Sequence, residues 1–347
     1  MLVVAGAGMA GLCAAARARE LGLDVVVHEK GDRAGGSMLL SSCVVFRHRT
    51  LDGFREDCPD GDPTLQRVVV EELDDALAWL ESLGAPVLTK ETGNPRTVGW
   101  RFDPVGLTDA LVRVAGDVRL RSPFPAGARP LLLATGGFAA RLARERGLGL
   151  RANRWSEGDG LDEGLRRGGS ETAGMDEFYG RAMPAPPARW GEPDFVRASQ
   201  LYGRFAEAVD ESGDPIRDGE VAWHENDLVQ ALARRPGGIG WYRVAERDLA
   251  ARVRERPVAD MVAEAERLDG EVVLDEGSVR VKVQAAVTHT VGGLRIDEDA
   301  RVVGADGLWA AGADAGGIFT GGYASGLAAA LVFGRRAAES VDRITRR

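Results

Sequence analysis

Near the C-terminus, the stretch Phe319 to Gly326 reads FTGGYASG and sets a phenol (Tyr323) and a hydroxyl (Ser325) at the mouth of an Ala/Leu-rich helix. Both groups can hold or move a proton, and Tyr323 is the only tyrosine in the last hundred residues. His289-Thr290, just before Gly292-Gly293, adds an imidazole that could contact substrate. A plainer reading stands beside each of these. Ser325 could cap the helix with Tyr323 packed nearby, and His289 could be a structural histidine. What such groups act on depends on what the other end of the chain binds.

That end reads strand, glycine turn, helix, strand. Leu2 to Ala5 is a short apolar run suited to a buried parallel strand. Gly6-Ala7-Gly8-Met9-Ala10-Gly11 follows, a helix runs to about Leu21, Gly22 ends it, and Val25-Val26-Val27 begin a second strand. In this setting Gly6 allows the turn, Gly8 lets backbone approach a pyrophosphate, and Gly11 lets helix and strand pack closely. The exposed amides of the helix start hold phosphate. Glu29, 23 positions after Gly6, ends the second strand, where a carboxylate can accept both hydroxyls of a ribose. NAD and FAD share this fingerprint. Gly35-Gly36-Ser37, a second small-residue loop soon after the acid, is what a flavin dinucleotide needs, because its pyrophosphate and ribityl chain continue past the first phosphate site.

Further elements must position these groups. Leu131 to Ala134 reads as a buried strand with Thr135-Gly136-Gly137 at its carboxyl end, where open α/β sheets bind ligands. Asp159, between Gly158 and Gly160, is either an acid of the site or a cap for a helix at Leu161–Arg167. Leu308 to Gly312 is another strand and glycine turn, followed by Asp314. Leu65, Val69, Leu73, Leu77 and Leu80 share one face of a helix expected over Pro63–Leu83. The expected fold is α/β, a Rossmann-like FAD/NAD(P)-binding domain with an inserted α+β cap. The FAD-binding domain would be discontinuous (1–43, 96–174 and 285–347), with a helical shielding segment at 44–95 and a cap or substrate domain at 175–284.

The 347 residues carry a formal charge of -9, so nothing in the balance marks a nucleic-acid partner or an acidic membrane surface. Only Lys30, Lys90 and Lys282 are lysines among 44 basic residues, and this arginine dominance suggests a high-GC bacterial genome. Cys13, Cys43 and Cys58 are odd in number and scattered, which fits a reducing cytoplasm. Neither they nor the four dispersed histidines have metal-ligand spacing, so no metal is expected. No apolar run reaches membrane-spanning length.

Taken in order, GAGMAG with Glu29-Lys30, GGSMLLSS, LLLATGGF, SEGDGL, THTVGGL and GLWAAGADAGG resemble the flavoprotein family of fumarate reductases, succinate dehydrogenases and 3-ketosteroid dehydrogenases. The resemblance places FAD contacts on Gly6, Ala7, Gly8, Met9, Ala10, Gly11, Glu29 and Lys30, and on Gly35, Gly36, Ser37, Met38 and Ser42. Further contacts fall on Ala134, Thr135, Gly136, Asp159, Gly312, Asp314, Gly326 and Ala328. Where some members attach FAD covalently through a histidine, Ser37 stands here, which implies non-covalent FAD. Asp314 occupies a position that normally carries Glu for the ribityl hydroxyls. The helix beginning at Gly326 would aim its N-terminus at the flavin.

The fumarate-reductase arginine that holds a dicarboxylate aligns with Tyr323, and a tyrosine cannot form that bidentate pair. A Tyr-x-Ser-Gly sequence is more similar to the ketosteroid dehydrogenase branch, whose tyrosines polarise a ketone or move a proton. The resemblance gives His289 a substrate contact. It implies an FAD-dependent dehydrogenase or reductase acting on a C–C bond beside a carbonyl, with hydride passing through flavin N5 and with Tyr323, Ser325 and His289 as catalytic residues. The alternatives are an enzyme for a small carboxylate and a flavin-binding protein without catalysis. Partners would be a small-molecule substrate and an unidentified electron donor or acceptor. The family's proton-donating arginine is replaced or shifted. Arg217, His224 and Asn226 lie near the expected point, and Tyr179 with Arg181 are a further pair.

Overall fold

In the computed structural model, which describes residues 1–323 and 325–346, the chain divides into two compact units. The first comprises residues 1–139, 153–177 and 289–347; the second comprises 140–152 and 178–288.

The first unit is built on a five-stranded parallel sheet. Its strands are β1 (Leu2–Ala5), β2 (Val25–His28), β3 (Val118–Arg119), β4 (Leu131–Leu133) and β5 (Leu308–Ala310), in the order β5-β4-β1-β2-β3. Val4 lies opposite Val27 on one side and Leu132 on the other. β1 and β4 are buried along their whole length, which explains why they read as continuous rather than alternating apolar runs. Helix α1 (Met9–Glu20) follows the first glycine turn, α2 (Pro63–Ser82) lies in the middle of the unit's sequence, and α3 (Gly326–Thr345) ends it.

Helices α1 and α3 meet backbone to backbone. A Cβ on Gly334 would stand 2.5 Å from the Ala10 carbonyl oxygen, and one on Gly11 only 2.0 Å from that of Gly6. Glycine is needed at both places because no side-chain atom fits. The Arg17–Glu339 pair at 2.8 Å joins the two helices at their surface, where such pairs add little stability.

Asp62 caps α2 by accepting from the amides of Thr64 and Leu65, with Pro63 at the first helical position. Leu65, Val69, Leu73, Leu77 and Leu80 are all buried on its inner face. The helix therefore matches the expected periodicity. Residues 44–95 belong to the first unit, where Val44–His48 and Val87–Thr89 flank Thr97–Phe102 in a three-stranded antiparallel sheet.

The second unit centres on a 13-residue strand, Ser278–Thr290, whose last two residues belong to the first unit. Ile239–Ala245 and Val272–Asp275 pair with it antiparallel, and Gly149–Leu150 pair with Ala286–Val287 in parallel. That last pairing draws residues 140–152 into the second unit, although the sequence reading put them in the cofactor domain. Helices Asn226–Ala233 and Val258–Arg267 complete an α+β body. Among the described residues no helix is long and apolar enough to cross a membrane, and Cys13, Cys43 and Cys58 are free and buried.

Gly334→Ala should lower stability by about 2 kcal/mol, because the added methyl must part α1 from α3. The expected reading is a lower urea midpoint at unchanged slope. An unchanged midpoint would show that the two helices do not touch through backbone at this point.

Candidate active site

Glycine loops from distant parts of the first unit converge at the carboxyl ends of its parallel strands. A Cβ on Gly6, whose φ is +103°, would lie 2.2 Å from the Ala134 carbonyl oxygen, so the first glycine turn rests directly on the loop after β4. Gly35 donates to the Ala7 carbonyl at 2.7 Å, and a Cβ on Gly36 would come within 3.2 Å of the Gly8 Cα. The second glycine loop therefore lies against the first. Glu29 is buried, and its carboxylate accepts from the Ala7 amide at 2.9 Å and the Gly31 amide at 2.7 Å. These bonds aim the acid and leave lone pairs for a further donor. Met9, Ala10, Met38, Ala134 and Ala328 are buried around the loops, and Ser42 is half-buried.

Asp314 is wholly buried and turned inward. Its carboxylate accepts from the Thr135 amide, the Thr135 hydroxyl at 2.9 Å and the Gly137 amide at 3.2 Å. The Thr135 hydroxyl in turn accepts from Gly160 at 3.1 Å, and a Cβ on Gly160 would strike the Asp314 carboxyl at 2.7 Å. Burial pushes the Asp314 pKa up to about 6 against the pull of these donors. Gly312 (φ +68°) would set a Cβ 3.2 Å from that of Ala10, and Gly136 (φ +91°) one 2.9 Å from the Ser156 hydroxyl.

Asp159 does not cap its helix. Gly158 holds the cap position with a left-handed φ of +94°, and the Asp159 carboxylate instead pairs with Lys30 at 2.5 Å.

At the start of α3 the hydroxyl of Ser325 accepts from the Ala328 amide and from the Phe46 amide, both at 3.3 Å. Ser325 is thus a buried helix cap that also holds the strand Val44–His48. Tyr323 is half-buried, its ring edge-on to Phe46 at 6.1 Å between centroids. His289 is half-buried and edge-on to Phe319 at 5.9 Å; a Cβ on Gly326 would meet its ring at 3.1 Å. Burial pushes the His289 pKa down to about 4, so the imidazole is neutral at physiological pH.

The candidates in the second unit are engaged in its own structure. Arg217 pairs with Asp227 at 3.2 Å, Arg181 donates to the His224 carbonyl at 2.8 Å, and its guanidinium lies 5.0 Å from the Tyr179 ring. The Asn226 side chain accepts from the Gly180 amide at 3.1 Å, and His224 Nδ1 accepts from the Asn226 amide.

Residues 2–129 and 241–327 match the protein family described as FAD binding domain. The chain belongs to that family. No curated protein matches it in sequence. Among solved structures it is similar to the open conformation of a flavocytochrome c3 fumarate reductase (21% identity, TM-score 0.71, over 99% of this chain and 78% of the other). It is also similar to the 3-ketosteroid-Δ4-(5α)-dehydrogenase of Rhodococcus jostii RHA1 in complex with 4-androstene-3,17-dione (17%, 0.70, 98% and 96%). A third is Sdh1 of Mycobacterium smegmatis in complex with UQ1 (20%, 0.72, 99% and 68%). At these identities the likeness is one of fold.

FAD is the cofactor of this FAD-binding-domain protein, and its residues fit the group. Gly6 and Gly11 have no room for a side chain, yet a Cβ on Gly8 would meet nothing within 4 Å, so that backbone face is open to a pyrophosphate. Thr290 adds an orphaned polar atom. Its hydroxyl oxygen is buried with no hydrogen-bond partner among the described residues, and a Cβ on Gly137 would meet it at 2.4 Å. Among the described residues no group of three or more His, Cys, Asp or Glu could hold a metal ion.

Sequence reading missed Asn153 and Trp155. The Asn153 amide donates to the Ser37 hydroxyl at 3.0 Å, and Trp155 packs within 2.8 Å of where a Gly31 Cβ would be. Neither carries a motif, and only the fold brings them to the glycine loops.

The two shifted groups act oppositely on stability. Asp314, raised, contributes fully below the ordinary value of 3.8 and loses that contribution as pH rises through about 6. His289, depressed, contributes above 6.5 and loses it as pH falls through about 4. Between pH 6 and 4 the Asp314→Asn protein should lose stability to urea more steeply than the wild type, and His289→Asn less steeply. Parallel curves for all three would show that neither group titrates in this window.

Proposed function

We propose that this protein is an FAD-dependent oxidoreductase that adds or removes H₂, as a hydride and a proton, across a C–C bond beside the carbonyl of a neutral, ring-containing substrate. The observation that carries the reading is the character of the side chains around the start of α3. Tyr323, neutral His289, Phe46, Phe54 and Phe319 gather there, and Glu177 accepts from the Gly321 amide at 2.9 Å. A carboxylate substrate needs a fixed cation in bidentate geometry, whereas an enone needs a flat apolar surface and one or two uncharged hydrogen-bond donors.

FAD, when bound, supplies hydride donation or acceptance at N5. On the protein side, Gly8 and the α1 amides hold the pyrophosphate, and Glu29 takes the ribose hydroxyls. Ser37 offers no nucleophilic imidazole, so the cofactor is held without a covalent link. For reduction of an enone, the carbon β to the carbonyl takes the hydride and Tyr323 gives its proton to the α carbon. The neutral His289 N–H donates to the carbonyl oxygen as negative charge gathers there. Oxidation runs the same transfers in reverse. The positive end of the α3 dipole favours negative charge beside it.

Acid precipitation should release all flavin into the supernatant, and yellow colour left in the pellet would contradict the non-covalent assignment. Anaerobically photoreduced protein should be reoxidised by 2-cyclohexen-1-one or 4-androstene-3,17-dione. Reoxidation by fumarate alone would overturn the ketone reading, and none by any of the three would favour a flavin-binding protein without turnover. Tyr323→Phe should keep its flavin spectrum and lose turnover about 100-fold, within the range for one proton-transferring group. Unchanged turnover would remove Tyr323 from the mechanism.

A further inference from the structure

The loop that presents Tyr323 is held on its other side by a segment that no chemistry-bearing motif marks. Between the short helix Leu51–Asp57 and α2 the chain turns through Cys58 to Asp62 and runs beside residues 317–323. The contact is backbone against backbone. A Cβ on Gly322 would lie 1.6 Å from the Asp57 carbonyl oxygen, and one on Gly321 (φ +85°) would lie 2.9 Å from the Asp60 carboxylate. Asp62 donates its amide to the Gly317 carbonyl at 2.8 Å, and the Tyr323 amide donates to the Cys58 sulfur.

One polar side chain sits in the middle of this seam. Gln66, in the first turns of α2, has no exposure to solvent. Its amide nitrogen donates to the Cys58 carbonyl and to the Ile318 carbonyl, each at 3.0 Å, and its oxygen accepts from Arg55 Nη1 at 3.0 Å. Both N–H groups and the carbonyl are therefore used, two of them on the backbones of the two facing loops. Arg55 also donates to the Pro59 carbonyl at 2.5 Å and to that of Gly61, so the turn itself is braced. Gly61 leaves room for this arrangement, since a Cβ there would meet Gln66 Nε2 at 2.3 Å and the Ile318 oxygen at 2.4 Å.

We infer that Gln66 is a positioning residue for Tyr323: by bonding the Cys58 and Ile318 carbonyls together it fixes the loop 317–323 and so the place of the phenol. This rests on the role of Tyr323 proposed above. A buried amide whose bonds cross between two loops can be replaced only by leaving carbonyls unpaired, so its loss should act on the loop's geometry before the fold as a whole. Neither Gln66 nor Gly61 touches the reacting groups.

The chain has four tyrosines, at positions 179, 202, 242 and 323, so FAD-loaded protein labelled with 3-fluorotyrosine should give four fluorine resonances. The one lost in Tyr323→Phe belongs to Tyr323. Gln66→Met keeps the length of the side chain and removes its bonds. Gly61→Ala keeps Gln66 and presses on the same two atoms. The Tyr323 line should shift or broaden by more than its own width in both variants while the other three hold, a signature that a merely structural role would not give. A Tyr323 line that stays in place in either variant, or four lines that move together in both, would overturn the inference. Should the Tyr323 line move alone while Tyr323→Phe leaves enone turnover unchanged, the positioning stands and the catalytic reading of Tyr323 falls.

Discussion

The carboxylate of Asp314, with no exposure to solvent, holds the loop after β4 to the turn after β5 through the amides of Thr135 and Gly137, and the Thr135 hydroxyl extends the same set of bonds to Gly160. Three stretches of chain far apart in sequence are thereby fixed at the carboxyl ends of two neighbouring strands, β4 and β5. The glycine turn after β1 rests on the same loop through Gly6 and Ala134. A cofactor as long as FAD needs several backbone turns presented at once, and hydrogen bonds to a buried acid keep those turns in place because breaking any one strands a polar group away from water. Burial also makes the acid reluctant to ionise, so the clamp is held at the expense of a pKa raised to about 6.

Around that clamp the first unit relies on close backbone approach rather than on large side chains. Gly11, Gly334, Gly61 and Gly322 each stand where an added methyl would meet a main-chain oxygen at 2.5 Å or less. Close approach brings α1 against α3 and the Cys58–Asp62 turn against the Tyr323 loop. The aromatic side chains Phe54, Phe319 and His289 then pack in sequence beneath the start of α3.

Much of this is legible from the chain. The strand–glycine–helix start, Glu29, the loop at Gly35-Gly36 and the apolar face of α2 each depend on local pattern, and the structure has them where the pattern puts them. Other roles are settled by partners distant in sequence. Asp159 reads as an acid of the site or a cap, and its carboxylate turns to Lys30, 129 positions away. Asp314 reads as an acid of the site, and folding adds that its carboxylate accepts from Thr135 and Gly137. Ser325 caps the last helix and accepts from the amides of Phe46 and Ala328. Residues 140–152 join the second unit because Gly149 and Leu150 pair with the long strand at Ala286 and Val287.

The sequence by itself determined that several glycine turns follow buried strands, that an acid ends the second strand, and that a tyrosine rather than a cation stands before the last helix. Those features arise from backbone freedom, apolar periodicity and residue type, which are properties of short segments. Only the tertiary structure decided where each carboxylate and hydroxyl spends its hydrogen bonds, and that an unremarked glutamine holds the tyrosine's loop. A polar side chain has a few bonds to make, and its choice among partners is set by which groups folding leaves within about 3 Å of it.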